Sequence, residues 1–166
     1  MILKYLEEGI TLDLGCEDGD ITSMLRGYKV GTDKDRLFKH GGLIPFVQSD
    51  IRHLPFRSKI FTCCVLCQVI EHMKPEEAET VFRECVRVLK NEGQIIVLTP
   101  KWWGDIILRS LVKFKLLGEY GMHEHYYSEE ELRKICDNAG FRNIVFDHYN
   151  LGIDVVCVAR KSLDLD

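Results

Sequence analysis

Acidic residues and glycines stand at the ends of three predicted strands. Gly15 and Gly19 frame a loop after the first strand, Asp33 follows the second and Asp50 follows the third. Ligands of open α/β sheets bind at the carboxyl ends of the strands, so these residues are expected to face one ligand. Glycines allow a close approach of the backbone, and carboxylates accept hydrogen bonds from ribose hydroxyls or an exocyclic amine. The pattern predicts a nucleoside pocket.

The elements that position these residues alternate between strands and helices, which is typical of a mainly parallel sheet covered on both faces. Strands are predicted at residues 11–14, 28–32, 45–49, 61–67, 94–99, 142–148 and 154–160. Helices are predicted at residues 20–26, 75–90 and 128–139. Only a short connection with Asn150 and Gly152 separates the last two strands, which indicates an antiparallel hairpin. The predicted class is α/β.

Length and composition limit the classes of function. The chain has 166 residues, so residues 1–166 are expected to form a single domain. A net charge of -4 argues against non-specific nucleic-acid binding. Seven cysteines, an odd number, and the absence of a long apolar leader predict the reducing cytoplasm. No window is apolar enough for a membrane span, and membrane contact is not expected.

Several segments resemble those of one family. LDLGCEDG is similar to its first-strand loop, VGTDKD to the acidic end of its second strand and SDIRHLPF to its adenine segment. FTCCVLCQVIEHM resembles its fourth strand, and FRECVRVLKNEGQIIVLTP the helix and strand that follow. The chain thus resembles a class I S-adenosylmethionine-dependent methyltransferase of the group related to ubiquinone and menaquinone biosynthesis.

The resemblance implies a Rossmann-like, doubly wound sheet of seven strands in the order 3-2-1-4-5-7-6, with strand 7 antiparallel. It also implies that S-adenosylmethionine is the cofactor and S-adenosylhomocysteine the product. Matching positions imply that the methionine part is lined by Asp13, Gly15, Cys16, Glu17 and Gly19. They imply that the ribose binds at Asp33 beside Lys34 and that adenine binds at Asp50 and Ile51. Cys67 and Gln68 are implied to contact the cofactor through their backbone groups.

Glu17 departs from the family pattern, because many members have a glycine there. If the position needs a left-handed backbone, a glutamate costs about 1–2 kcal/mol. Its charge opposes the carboxylate of the cofactor and favours its ammonium group. Cofactor binding is expected to be intact, and whether the glutamate weakens it is not predicted. The lead before the first strand, residues 1–8, is also shorter than in relatives.

Residues 101–127 form a candidate substrate cap after the fifth strand. Ile107, Leu111 and Phe114 stand there at helical spacing. Basic residues lie beside them: Arg109, Lys113 and Lys115. The alternative roles of this segment are a helix packed on the sheet edge, which ranks second, and association with a membrane surface, which ranks third.

Methyl transfer from a sulfonium is a direct displacement that needs no covalent nucleophile, although an acceptor can need a general base. The candidates are His72, His123, His125 and Tyr126, with structural roles as the alternative. No metal site is predicted. Cys64 and Cys67 would point to opposite faces of a strand, and His123 and His125 lack an evident third ligand.

Two functions remain from the sequence. The first is a methyltransferase acting on a small molecule, and the second is an S-adenosylmethionine-binding protein without turnover. A nicotinamide dehydrogenase ranks below both, because Gly15 to Gly19 does not supply G-x-G-x-x-G. The methyl acceptor and the oligomeric state are not predicted.

Overall fold

The computed structural model describes residues 2–35, 37, 39, 42–104 and 123–163. Their strands are β1 (Ile10–Leu14), β2 (Tyr28–Asp33), β3 (Phe46–Gln48), β4 (Phe61–Cys67), β5 (Leu89–Pro100), β6 (Phe141–Tyr149) and β7 (Asp154–Lys161). The α-helices are α1 (Asp20–Met24), α2 (Pro75–Val88) and α3 (Glu129–Ala139). Short 3-10 turns lie at Ile2–Tyr5, Ile70–His72 and Asn150–Gly152. Residues 105–122 lie outside the described residues. They hold most of the predicted cap and all six of the apolar and basic residues named in it.

The strands form one sheet in the order β3-β2-β1-β4-β5-β7-β6. β1 lies between β2 and β4 and is parallel to both, with Leu14 opposite Thr32 on one side and Leu66 on the other. β7 runs antiparallel to β5 and to β6. The predicted α/β class, strand order and antiparallel strand are confirmed.

The central strand β4 packs on both faces of the sheet, as its apolar sequence predicts. Cys64 and Leu66 belong to the larger core, which includes Phe82 of α2 and Leu132 of α3. Residues on the opposite face of β4 form a second core with Ile2, Leu25 and Ile96. The carboxyl ends of the parallel strands β1, β2 and β4 therefore lie together at one edge of a packed sheet.

Two predicted helix ends are wrong. Residues 20–26 were expected to be helical, but α1 stops at Met24 and Leu25 is extended at φ -65° and ψ 143°. Leu25 is 2% exposed, so burial of its side chain outweighs continuation of the helix. α2 stops at Val88 rather than at Lys90, because Leu89 is extended and already pairs with Phe61 of β4.

The start of α3 is built as its sequence predicts. The Ser128 hydroxyl accepts a hydrogen bond from the Glu131 amide, and the Glu131 carboxylate accepts one from the Ser128 amide. This capping box satisfies two helix-end groups. The helix ends at Gly140, whose φ is 102°. In the part of the chain that the structure describes, no helix has the length and apolar character needed to cross a bilayer.

Candidate functional site

The loop after β1 turns sharply through three left-handed residues. Gly15, Glu17 and Gly19 have φ values of 69°, 45° and 87°. The amides of Gly15 and Cys16 both donate to the Thr32 carbonyl, at 2.8 and 3.1 Å. These bonds hold the loop against the end of β2. The left-handed conformation suspected for Glu17 is therefore present.

The strain at Glu17 predicts the effect of replacing it. Glu17→Gly is expected to raise the free energy of unfolding by up to about 1 kcal/mol, because glycine relieves the left-handed strain but loses more chain entropy on folding. Cofactor affinity is expected to stay equal or to increase. Denaturant unfolding and calorimetric titration measure the two quantities.

Glu17→Ala is the matched control, since it removes the carboxylate and keeps a side chain at the same φ. If both variants bind S-adenosylmethionine more weakly than the wild type, the Glu17 side chain is itself a ligand contact.

Asp33 ends β2 and anchors the same loop. Its side chain accepts hydrogen bonds from the Glu17 amide at 3.0 Å and from the Asp35 amide at 2.9 Å, one on each carboxylate oxygen. Each oxygen keeps a further acceptor site, because a carboxylate has about four lone-pair positions. Asp33 is 7% exposed and lines the cavity described below. It is placed both to shape the loop and to accept hydrogen bonds from a ligand.

Asp13 and Cys16 lie behind the loop and are not among the cavity-lining residues. Asp13 is 1% exposed and accepts a hydrogen bond from the Thr22 hydroxyl at 2.6 Å, which ties β1 to α1. Burial, with a smaller contribution from the nearby Asp33, raises the pKa of Asp13 to about 6, although the hydrogen bond from Thr22 opposes the shift. Burial likewise raises the pKa of the Cys16 thiol to about 12. Their predicted contacts with the methionine part stay predictions.

The raised pKa of Asp13 predicts how stability depends on pH. A folded pKa of about 6 above the ordinary 3.8 means that this contribution is fully present below 3.8 and is lost as pH rises through about 6. Between pH 5 and pH 7.5 the wild type is therefore expected to lose on the order of 1 kcal/mol relative to Asp13→Asn, which keeps an acceptor for Thr22. Urea unfolding of both proteins across this range measures the difference. Parallel stability curves would contradict the assignment.

Asp50 follows β3 but is already paired with Arg52. Its carboxylate accepts hydrogen bonds from Nε and Nη2 of Arg52 at 3.0 and 2.7 Å. This contact lowers the pKa of Asp50. Nη1 of Arg52 bridges to Glu77 on α2. An exocyclic amine would have to share Asp50 with this arginine, whereas the neighbouring Ile51 is 7% exposed and offers an apolar surface.

β4 ends at a left-handed turn. Gln68 has a φ of 57°, and its amide donates to the Leu98 carbonyl at 2.9 Å. Its N–H is thus used within the sheet, which leaves its carbonyl and side chain for the predicted ligand contact. Cys67 is half-buried beneath this turn and is not a cavity-lining residue, and burial raises the pKa of its thiol to about 12.

These strand ends surround a cavity of about 560 Å³. Eight residues proposed from the sequence line it: Gly15, Glu17, Asp33, Lys34, Asp50, Ile51, Gln68 and His72. Gly19, His123, His125 and Tyr126 do not. The volume lies in the range of small-molecule sites, which is about 300–1,000 Å³.

Seven further lining residues were missed by the sequence analysis: Asp35, Leu37, Ser49, Arg52, Val69, Met73 and Glu77. Leu37 lies two positions after VGTDKD, and five others lie inside the quoted segments without an assigned role: Asp35, Ser49, Arg52, Val69 and Met73. Glu77 is the exception. It stands in the first turn of α2 and contacts Arg52 across the cavity wall, which no local pattern indicates.

The four candidate catalytic residues fall into two groups. His72 and His123 lie with ring centroids 5.1 Å apart, and Tyr126 lies 5.6 Å from His123. His125 instead contacts Glu131 at 2.9 Å and stacks edge-on against Tyr127 at 4.6 Å. The structure therefore gathers His72, His123 and Tyr126 and directs His125 to the start of α3.

Glu71 is a residue to which the sequence analysis gave no role. It is fully buried, and one carboxylate oxygen accepts a hydrogen bond from the Thr99 hydroxyl at 3.0 Å. Burial raises the pKa of Glu71 to about 7, and the Thr99 hydrogen bond opposes the shift. The sequence signal that could have identified Glu71 is the Glu71–His72 pair shortly after the buried strand β4.

Known proteins resemble this chain in sequence. Residues 12–97 match the model of a family described as a methyltransferase domain. A ubiquinone/menaquinone biosynthesis C-methyltransferase from Haemophilus ducreyi is 27% identical over 85% of this chain and 59% of its own length. A demethylmenaquinone methyltransferase from Lactobacillus johnsonii is 25% identical over 96% of this chain and 79% of its own. The chain thus spans less than two thirds of the first of these relatives.

A solved structure supports the fold. An S-adenosylmethionine-dependent methyltransferase from Methanosarcina mazei aligns with a TM-score of 0.73 at 20% identity. The alignment covers 98% of this chain and 97% of that one. At this level of identity, the likeness concerns the fold alone.

Proposed function

Because the chain belongs to the methyltransferase-domain family, we propose that it transfers a methyl group from S-adenosylmethionine to a small-molecule acceptor by direct displacement. The family predicted from the sequence is confirmed. The activity of the whole protein, its acceptor and its partners are proposals, since the chain spans 59% of the first relative's length.

The observation that carries the proposal is the position of Asp33. It closes the loop of β1 through the Glu17 amide, lines the cavity and keeps free acceptor sites on both oxygens. A nucleoside ribose offers two neighbouring hydroxyls that such a carboxylate can accept. Ile51 adds an apolar wall for a base, and the cavity volume suits a ligand of this size. The residues present therefore fit the cofactor.

S-adenosylmethionine supplies a methyl group that is already activated on a sulfonium. The chain then has to position and desolvate the reactants, which can provide most of the acceleration. Val69 and Met73 give the cavity apolar surface beside the strand ends. His72 lines the same cavity, and a ring nitrogen of His72 is the group placed to hold a proton of the acceptor.

The acceptor is proposed to be a partly apolar small molecule. Apolar lining residues such as Leu37 and Met73 support this class, and so do the relatives named for quinone biosynthesis. The net charge of -4 argues against nucleic acid as the acceptor.

All seven cysteines are free, which supports the proposal of a reducing, cytoplasmic location. We further propose that residues 1–166 form a single domain and that residues 101–127 cover its substrate site.

Binding and turnover are tested separately. Calorimetric titration with S-adenosylmethionine is expected to show saturable binding of one equivalent. Incubation with methyl-labelled cofactor and a panel of phenols, quinols and amines is then expected to label at least one acceptor. Boiled protein is the control for non-enzymatic transfer.

Binding without transfer to any acceptor would favour the second function, a cofactor-binding protein without turnover. No binding at millimolar cofactor would contradict both functions.

A further inference from the structure

Three side chains beside the cavity are arranged like ligands of a metal ion. One carboxylate oxygen of Glu71, one ring nitrogen of His72 and one ring nitrogen of His123 all lie within 4.8 Å of one another. His123 is separated from the other two by about fifty positions in the sequence. Two imidazoles and one carboxylate form a donor set that binds zinc and other divalent transition metals in proteins.

The fold builds this cluster from two segments. The Glu71 carbonyl accepts hydrogen bonds from the amides of Glu124 and His125, at 2.8 and 3.1 Å. The Tyr127 hydroxyl donates to the Met73 carbonyl at 3.0 Å. These bonds fix the segment after His123 against the turn that carries Glu71 and His72. His123 is therefore held beside His72 by hydrogen bonds to the Glu71 and Met73 carbonyls that do not involve its own ring.

Glu71 supplies a second observation. It is 0% exposed, and its Oε2 atom accepts the hydrogen bond from Thr99. Its Oε1 atom is buried and has no hydrogen-bond partner among the residues that the structure describes. A buried carboxylate oxygen without a partner is costly, and a bound cation is one of the ways in which proteins compensate it.

We propose that Glu71, His72 and His123 bind one divalent transition-metal ion of the zinc type. Three protein ligands leave a coordination position open, as in catalytic rather than structural zinc sites. Ligand atoms on one zinc ion are about 3.3 Å apart for bonds of about 2.0–2.1 Å, so from separations within 4.8 Å the ligand atoms close in by at most about 1.5 Å on binding. Rotations of the imidazole rings can supply this movement.

His72 belongs both to the cluster and to the cavity wall. A His72 ring that ligates the metal cannot also act as a base for the acceptor. The open coordination position would instead suit an oxygen donor of a molecule in the cavity, such as a hydroxyl group of the methyl acceptor. This consequence rests on the proposed function, whereas the metal site does not.

The test is a calorimetric titration of chelator-treated protein with zinc chloride, followed by the absorption spectrum of the protein with Co²⁺. The wild type is expected to bind one equivalent and to give the d–d bands of cobalt bound to nitrogen and oxygen ligands. His72→Ala, His123→Ala and Glu71→Gln are each expected to bind zinc at least tenfold more weakly. Circular dichroism identifies any variant that fails to fold.

His148→Ala is the matched control, since His148 is an exposed histidine 3.5 Å from Glu129 and lies outside the cluster. It is expected to bind zinc as the wild type does. Absence of zinc binding by the wild type, or equal binding by the folded cluster variants, overturns the site. Titration of the same samples with S-adenosylmethionine separates the two proposals, because cofactor binding without zinc binding overturns the metal site alone.

Discussion

Asp33→Ala is expected to weaken the binding of S-adenosylmethionine at least tenfold, as measured by calorimetric titration. The substitution removes the ribose acceptor, and hydrogen bonds to a charged group contribute about 1.5–3 kcal/mol. It also removes the carboxylate that holds the Glu17 and Asp35 amides, at 3.0 and 2.9 Å. Loss of the ligand contact and loosening of the loop therefore act in the same direction.

Two variants show which part of Asp33 matters. Asp33→Asn keeps one acceptor oxygen and is expected to bind with intermediate affinity. Asp137→Ala removes an acid from α3 that is paired with Arg142 at 3.6 Å, and it is expected to leave cofactor affinity unchanged. An unchanged affinity in Asp33→Ala would show that the ribose does not bind at the end of β2.

Gly15→Ala is expected to lower the free energy of unfolding by about 2 kcal/mol or more and to weaken cofactor binding at least tenfold. Gly15 has a φ of 69°, where a side chain costs about 1–2 kcal/mol. A Cβ atom there would also lie 2.7 Å from Cγ2 of Val69. Either the loop or the turn after β4 must move, and both line the cavity. Denaturant unfolding and cofactor titration measure the two losses.

Two comparisons separate the clash from the backbone strain. Gly140→Ala, at a φ of 102° with no atom within 4 Å of the added Cβ, carries only the strain and should leave cofactor binding intact. In Gly15→Ala combined with Val69→Ala, removal of the valine methyl groups should restore part of the stability relative to Gly15→Ala alone. If the double variant is no more stable than Gly15→Ala, contact with Val69 is not the cause.

The sequence predicted the sheet because its strands carry strong local signals. The apolar run of β4 indicates a central strand buried on both faces. The short connection before β7 indicates that β6 and β7 are antiparallel. The capping box at Ser128 and the glycine at position 140 likewise fixed both ends of α3. Helix ends that depend on distant packing were predicted less well. Leu25 and Leu89 leave the helical conformation because their side chains are buried in the core.

The candidate site could be predicted only at its strand ends. The Gly15 loop, Asp33 and Ile51 lie within motifs, and the structure places them around one cavity. The sequence did not predict the ion pair between Asp50 and Arg52, because an arginine two positions away can equally extend its side chain into solvent. The approach of His123 to His72 depends on hydrogen bonds between segments about fifty residues apart, which no sequence period reveals.

S-adenosylmethionine is proposed to bind across the ends of β1, β2 and β3, with its ribose on Asp33. A crystal structure of the protein with S-adenosylhomocysteine, the demethylated product, tests this most directly. The predicted result places the nucleoside in the cavity, with both ribose hydroxyls within hydrogen-bond distance of the Asp33 carboxylate and the base against Ile51. A nucleoside bound outside this cavity, or a ribose held by a different carboxylate, would contradict the claim.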